Sequence, residues 1–465
     1  MVFSLGSVGE LASRVWPPSW WLAPREAAAA ASARAAPRRI DNVEYYDVAV
    51  VGGGIVGLAT AREIAGRYPS KTVCVLEKEA DVGLHQTGHN SGVVHAGIHL
   101  TPGSMVARCV VRGNALMFRY CQALGLPYER VGKLICAASA NETHHLTTLL
   151  ERGRANGVQG LEILSAARVS KLEPRVLAHS ALFSPNTGVA DFGAVARRLA
   201  KDIAGLGNGS MVKLQFEVSS MELAVGDVYP AGRAVLIEGN QPGQPSPTLR
   251  VAATNVITCA GLQSDTVARM AGGDPDPKVV SFRGTYYQMK PEYRSICKMN
   301  VYPVPSGGGM PVGVHFTPTV NERRGRQMLV GPGASVCFDR EAYRFGDASL
   351  RYLLDLATNV PLWKFAADNC SLATTEMYRF ANKTAFMDQA RKLIPSVTDD
   401  MVEESFSGVM SQVIEGELRY YCHYHYHNTY GASVCSDPHL CTLWPLSAPR
   451  RNMPRRWSGN TRFPF

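Results

Sequence analysis

The sequence predicts an α/β fold, and three observations carry that expectation. Its 465 residues are 46% hydrophobic and 19% charged, globular proportions that allow two packed domains or one domain with a large insertion. From Tyr46 an apolar run leads straight into glycines, a helical stretch and a second apolar run. Far downstream another apolar run, Val256 to Thr258, ends in the small pair Ala260-Gly261. Disordered and fibrous classes are excluded by this composition.

The first of these segments reads YDVAVVGGGIVGLATAREIAGRYPSKTVCVLEKE. A strand over Val48 to Val51 runs into Gly52, Gly54 and Gly57, a helix continues to about Gly66, and a second strand ends at Glu77. Gly52 permits a tight turn, Gly54 lets the backbone approach a pyrophosphate, and Gly57 lets helix and strand pack closely. The pyrophosphate would rest on the free N–H groups and positive dipole end of the helix. Glu77, twenty residues after Gly57, is placed to accept hydrogen bonds from ribose hydroxyls. An acid at this position disfavours a 2′-phosphate, which leaves FAD or NAD.

Charge and cysteine usage bound the remaining classes. The net charge of +9 divides into about +1 over residues 1–44, +4 over the body and +4 over residues 417–465, so a nucleic-acid-binding body is not expected. Eleven scattered cysteines suit free thiols better than a disulfide scaffold. No apolar run reaches the ~18 residues of a membrane span. Residues 1–44 carry Arg14, Arg25, Arg34, Arg38 and Arg39 beside an Ala/Ser-rich stretch. They read as a mitochondrial transit peptide, with folded structure expected to begin near Tyr45.

After the ribose-binding strand an NAD enzyme would continue its βα alternation, but this chain turns polar and glycine-rich from His85 to Leu100. Such a stretch can pass Thr87, Asn90 and Ser91 beneath a second diphosphate towards an isoalloxazine ring. The run LHQTGHNSGVVHAGI resembles the signature of the L-2-hydroxyglutarate dehydrogenase family, FAD enzymes of the group that includes D-amino-acid oxidase and glycerol-3-phosphate dehydrogenase. ERVGKLICA, NTGVADF, TCAGLQSD, SFRGTYYQMKPE, NVYPVP, GVHFTP and VGPGA extend the resemblance in order over about residues 45–413. It implies a FAD-binding Rossmann-like domain (45–130, 190–275 and 375–416) interleaved with a sheet-based substrate domain (131–189 and 276–374). In that frame Ala260 and Gly261 let the chain pass beside the cofactor. A strand over Val212 to Val218 offers Val218 for a backbone contact to adenine.

The resemblance implies a 2-hydroxy dicarboxylate as substrate, oxidised to the 2-oxo acid in mitochondria with an electron acceptor other than oxygen. Nucleic acid is not among the expected partners, and peripheral association with a membrane surface is left open as a further one. Such an oxidation needs a base for the hydroxyl proton and an acceptor for the hydride. The two carboxylates need cationic or hydrogen-bonding anchors, and Arg283 is the first choice because its planar fork matches a carboxylate. Tyr302 and His315 complete the expected pocket. A histidine suits the base; of His85, His89, His95 and His315, His95 ranks first because it follows the turn expected at the flavin. An oxidase of another hydroxy or amino acid, and a catalytically impaired isoform, are the alternatives.

The pattern departs from the family after FSGVMSQVIEGE, where an acidic hairpin and a glycine-led final helix usually follow. Residues 417–465 instead form a divergent Tyr/His-rich and then Pro/Arg/Trp-rich tail, expected to be unstructured. Its histidines and cysteines lack the paired spacings of a zinc site, so no metal is expected. A missing helix dipole beneath the ring predicts weaker flavin binding.

Overall fold

The structure, a computed structural model, describes residues 38–40, 43–230, 232–241, 249–273, 278–305, 313–415, 417–419, 424–427 and 432–435. The strands are, in chain order, β1 (Arg38–Ile40), β2 (Val43–Val51), β3 (Val73–Leu76), β4 (Val93–Val94), β5 (Tyr128–Glu129), β6 (Lys133–Ala137), β7 (Glu162–Ser165), β8 (Ser180–Ser184) and β9 (Gly188–Ala190). There follow β10 (Met211–Lys213), β11 (Glu217–Val225), β12 (Arg233–Asn240), β13 (Leu249–Thr258), β14 (Lys278–Met289), β15 (Asn300–Pro303), β16 (His315–Pro318) and β17 (Met328–Val336). The last are β18 (Val402–Glu415), β19 (Glu417–Arg419), β20 (Tyr424–His427) and β21 (Ala432–Cys435).

The first sheet has the order β10-β3-β2-β13-β12-β11, with β2 parallel to both β3 and β13. Its central strands read as near-continuous apolar runs because both faces are covered. One face carries the helices α1 (Ile55–Arg67) and α3 (Phe192–Ala204), packed with α2 (Met105–Leu124) around Val50, Leu58, Phe118 and Leu199. The second sheet runs β19-β18-β14-β17-β16-β15-β6-β8-β7. Its core face buries Leu134, Val301, Phe316, Met328 and Val330 against Phe386 and Met387 of α4 (Lys383–Arg391). A small sheet, β4-β9-β5, lies between them in the chain's path.

Four expectations are corrected. Strand β1 pairs with β2 from Val43 onward, so regular structure begins before Tyr45. Residues 212–218 form no single strand, because Gln215 takes a φ of +56° and separates β10 from β11. Residues 375–416, expected in the cofactor domain, belong by contact to the second sheet: β18 pairs with β14 from Val402 to Ile414, and α4 packs on the same core. The tail carries β20 and β21, and β21 pairs with Val256, Ile257 and Thr258 of β13. Strand β12 ends its pairing at Ala253, which leaves that edge open to a β-prone segment. Among the described residues no helix is long and apolar enough to cross a membrane. The other residues of the leader and tail lie outside those described.

Candidate active site

Strand β2 delivers the chain to Gly52, where φ is +111° and a Cβ would lie 2.2 Å from the Cys259 oxygen at the end of β13. A Cβ at Gly57 would lie 2.0 Å from the Gly52 oxygen, so α1 can approach the strand end only through glycine. Gly54 precedes α1 without a side-chain cap, and the first turn holds no acid, so its positive end is open to an anion. Thr87 Oγ1 accepts the Ile55 N–H at 3.0 Å. The buried Glu77 carboxylate accepts from Gly53 N at 2.7 Å and Glu79 N at 3.0 Å, with lone pairs remaining for ribose hydroxyls.

Gly52, Gly54, Glu77, Thr87, Val218, Ala260 and Gly261 all line one cleft with about 1150 Å³ of empty space open to solvent. The backbone cradle, the acid-free helix start and the ribose acid fit the ADP half of FAD. Asn90 and Ser91 lie further along. Asn90 shapes its own turn, donating to the Gln86 and Thr87 carbonyls and accepting from Gly92 N. The Ser91 hydroxyl neighbours the Tyr286 phenol, which burial pushes up to about 12.

The chain joins this cleft to the second sheet in three places. Asp191, the cap of α3, also accepts from Glu322 N at 2.8 Å in the β16–β17 hairpin. Arg340, just after β17, is bidentate on the buried Asp265 at 2.5 and 2.9 Å. Glu341 lines the cleft and meets Lys78 at 2.7 Å. Glu79, His85 and Glu341 group closely enough to suggest metal ligands, but the Lys78 ammonium already bridges the two carboxylates.

The second sheet turns a polar face towards the segment that follows Ser91. Side chains alternate across a strand, so with Leu134, Val301 and Phe316 in the core, Lys133, Tyr302, His315 and Thr317 share the opposite face. Tyr302 stacks on His315 with centroids 3.8 Å apart, and Lys133 Nζ lies 3.5 Å from the Tyr302 centroid. Burial pushes His315 down to about 3, so the ring is neutral. Its Nδ1 lies 2.9 Å from the Gly313 carbonyl, which can only accept, so Nε2 keeps its lone pair.

His95 belongs to the same neighbourhood. Val93 clusters with Val131 and Val320, and Ala96 clusters with Ile135, so the segment 93–96 packs beside β6. The His95 ring is exposed and meets His99 edge-on at 6.0 Å. Buried Asn114 holds the backbone by donating to the carbonyls of Val94, His95 and Asn186.

Arg283 is placed elsewhere. It pairs with Ser335 of β17, whereas His315 pairs with Gly331, a separation of ~13 Å along the strand at 3.3 Å per residue. Its Nη1 donates to the Arg344 carbonyl at 2.7 Å, and its guanidinium lies over Phe345 and Phe380. The register shift between Thr285 and Tyr287 hides this from the sequence. Two cations escaped the sequence reading. Arg324 lies 3.9 Å over Phe406 and donates to the Gly88 and Asn90 carbonyls, and nothing in its basic hairpin signals that. Lys133 opens KLICA, where alternation about Leu134 and Cys136 puts it with Ile135 on the second face, a signal that was available.

A dinucleotide cradle joined to a sheet with a buried polar face defines a flavin-dependent oxidoreductase. The model of the FAD dependent oxidoreductase family matches residues 47–444. The chain is 38% identical over 385 residues to the mitochondrial L-2-hydroxyglutarate dehydrogenase of Homo sapiens, covering 81% of this chain and 80% of that one. It is 39% identical over 379 residues to the enzyme of the same name from Nematostella vectensis, covering 80% of each. Among solved structures, the FAD-bound L-alpha-glycerophosphate oxidase of Mycoplasma pneumoniae aligns with TM-score 0.63 at 23% identity, covering 86% of this chain and 92% of that one. Glycine oxidase from Geobacillus kaustophilus aligns at 0.60 and 18%, covering 85% and 90%; these two show the fold. The chain belongs to the FAD dependent oxidoreductase family and, within it, to the L-2-hydroxyglutarate dehydrogenases.

Proposed function

We propose that this protein oxidises L-2-hydroxyglutarate to 2-oxoglutarate with FAD and passes the electrons to an acceptor other than oxygen. The observation that carries the reading is the pairing of a FAD cradle with a buried polar face holding Lys133, Tyr302 and His315, in a chain 38% identical to a protein named for that activity. Bound FAD supplies the hydride acceptor. Gly52, Gly54, Gly57, Glu77, Thr87, Val218, Ala260 and Gly261 hold it, while Asn90 and Ser91 shape the segment that leads on to the ring.

His95 takes the hydroxyl proton: its accessible ring reaches solvent to discharge the proton, and Asn114 fixes its backbone. Tyr302 donates a hydrogen bond to a substrate carboxylate, since burial holds its phenol protonated, and the neutral His315 ring stacked on it fixes that phenol in place. The arginine-bearing leader and the mitochondrial relatives support import into mitochondria. The test is anaerobic mixing of the FAD-loaded chain with L-2-hydroxyglutarate, its D-isomer and amino acids. Bleaching by the L-hydroxy acid alone is expected, and bleaching by amino acids with peroxide release in air would replace this reading with an oxidase.

A further inference from the structure

Resting on that reading of the substrate, we propose that Lys133 is the carboxylate anchor of the site, the cation that binds a short dicarboxylate. Lys133 is 6% exposed, and among the described residues no carboxylate or hydrogen-bond acceptor pairs with its ammonium. A buried, unpaired ammonium is costly, and a fold that keeps one in a substrate-facing position retains a cost that an anion can relieve. The lysine lies on the face that carries Tyr302 and His315, and its Nζ stands 3.5 Å from the Tyr302 centroid, where the ring favours a cation without neutralising it. Arg283 cannot fill this role from its own place, because the Arg344 carbonyl and two phenylalanine rings hold it at another level of the sheet.

The surroundings of Lys133 support binding of an anion rather than a standing ion pair. The groups facing it are Tyr302 from β15 and His315 from β16, with His95 in the segment packed beside β6. Tyr302 is a neutral phenol and His315 a neutral imidazole. Burial lowers Lys133 to about 7, so the free site is divided between ammonium and amine near neutrality. An arriving carboxylate draws it to the charged form.

The test measures binding of glutarate, a dicarboxylate with no hydroxyl to oxidise, to FAD-loaded wild type and Lys133→Met by calorimetry. Truncating one partner of a buried charge pair costs 2–5 kcal/mol, so a loss of affinity on the order of 30-fold or more is expected. Wild-type affinity should fall as pH rises above the lysine's value of about 7, and the variant should show no such fall. Methionine matches the lysine stem without its charge, so the variant should melt above wild type at pH 6, where the burial penalty is fully present. That melt also shows that the variant folds. Equal glutarate affinity in the two proteins, or no binding to either, would overturn the anchor. Anaerobic bleaching of wild type by L-2-hydroxyglutarate is read separately. Bleaching with Lys133-independent glutarate binding sinks the anchor and leaves the function, whereas Lys133-dependent binding without bleaching does the reverse.

Discussion

The cofactor cleft is built from backbone, whereas the polar face of the second sheet is built from side chains. In the cleft, the absence of Cβ atoms at Gly52 and Gly57 makes the shape, and N–H groups with a helix dipole supply the recognition. On the polar face, Lys133, Tyr302, His315 and Thr317 come from three different strands, β6, β15 and β16, brought side by side by pairing. A backbone site tolerates little change in shape and a side-chain site little change in chemistry. The two should therefore fail in different ways.

The largest expected effect tests the backbone half. Gly57→Val places a side chain where a Cβ already meets the Gly52 oxygen at 2.0 Å, so the purified variant should carry no flavin absorbance. A stoichiometric yellow protein would break the distinction. His95→Ala should do the opposite, keeping FAD while slowing flavin reduction by 10²–10⁴-fold, the ordinary reach of a general base. Stopped-flow reduction measures it, and an unchanged rate in a flavin-loaded variant removes His95 from the chemistry.

Smaller changes sharpen the comparison. Glu77→Gln keeps an acceptor for Gly53 N but loses its charge, so FAD affinity should drop by about 10-fold, consistent with the ~1.5 kcal/mol separating charged from neutral hydrogen bonds. Titration of the apoprotein with FAD measures this. The smallest effect concerns the clasp over the cleft. Lys78 bridges Glu79 and Glu341 while about a quarter exposed, so Lys78→Ala should shift thermal stability by only about 1 kcal/mol or less. A much larger loss in the melt would make the clasp part of the cofactor site.

The tail bears on the same comparison. Among the described residues no α-helix follows α4, and β21 lies instead along the open edge of β13.

The cleft was legible because its determinants lie close together in the chain. Glycines, helix start and ribose acid fall between Gly52 and Glu77, and local sterics dictate their conformation. Thr87 follows shortly after in the polar stretch, whereas Ala260 and Gly261, far downstream, were tied to the cofactor only by the family resemblance. Asn90 lies beyond the cleft lining, and its side chain is taken by its own turn. The polar face was legible only in part. Tyr302 and His315, expected in one pocket, stack on each other, whereas Arg283, expected with them, lies at another level of the sheet, and Lys133 beside Tyr302 carries no motif that singles it out. Strand β18 shows the same limit, since its alternating pattern declares a strand but not which sheet will take it.

From the amino-acid sequence alone follow the α/β class, the dinucleotide turn and the acid that reads the ribose, because each depends on steric and electrostatic effects within a few turns of chain. Tertiary structure alone decided which cation lies beside Tyr302 and His315. Strand order and register set which side chains meet, and a shift between Thr285 and Tyr287 together with a pairing of β6 with a strand far along the chain sets Arg283 at another level of the sheet and brings Lys133 beside Tyr302.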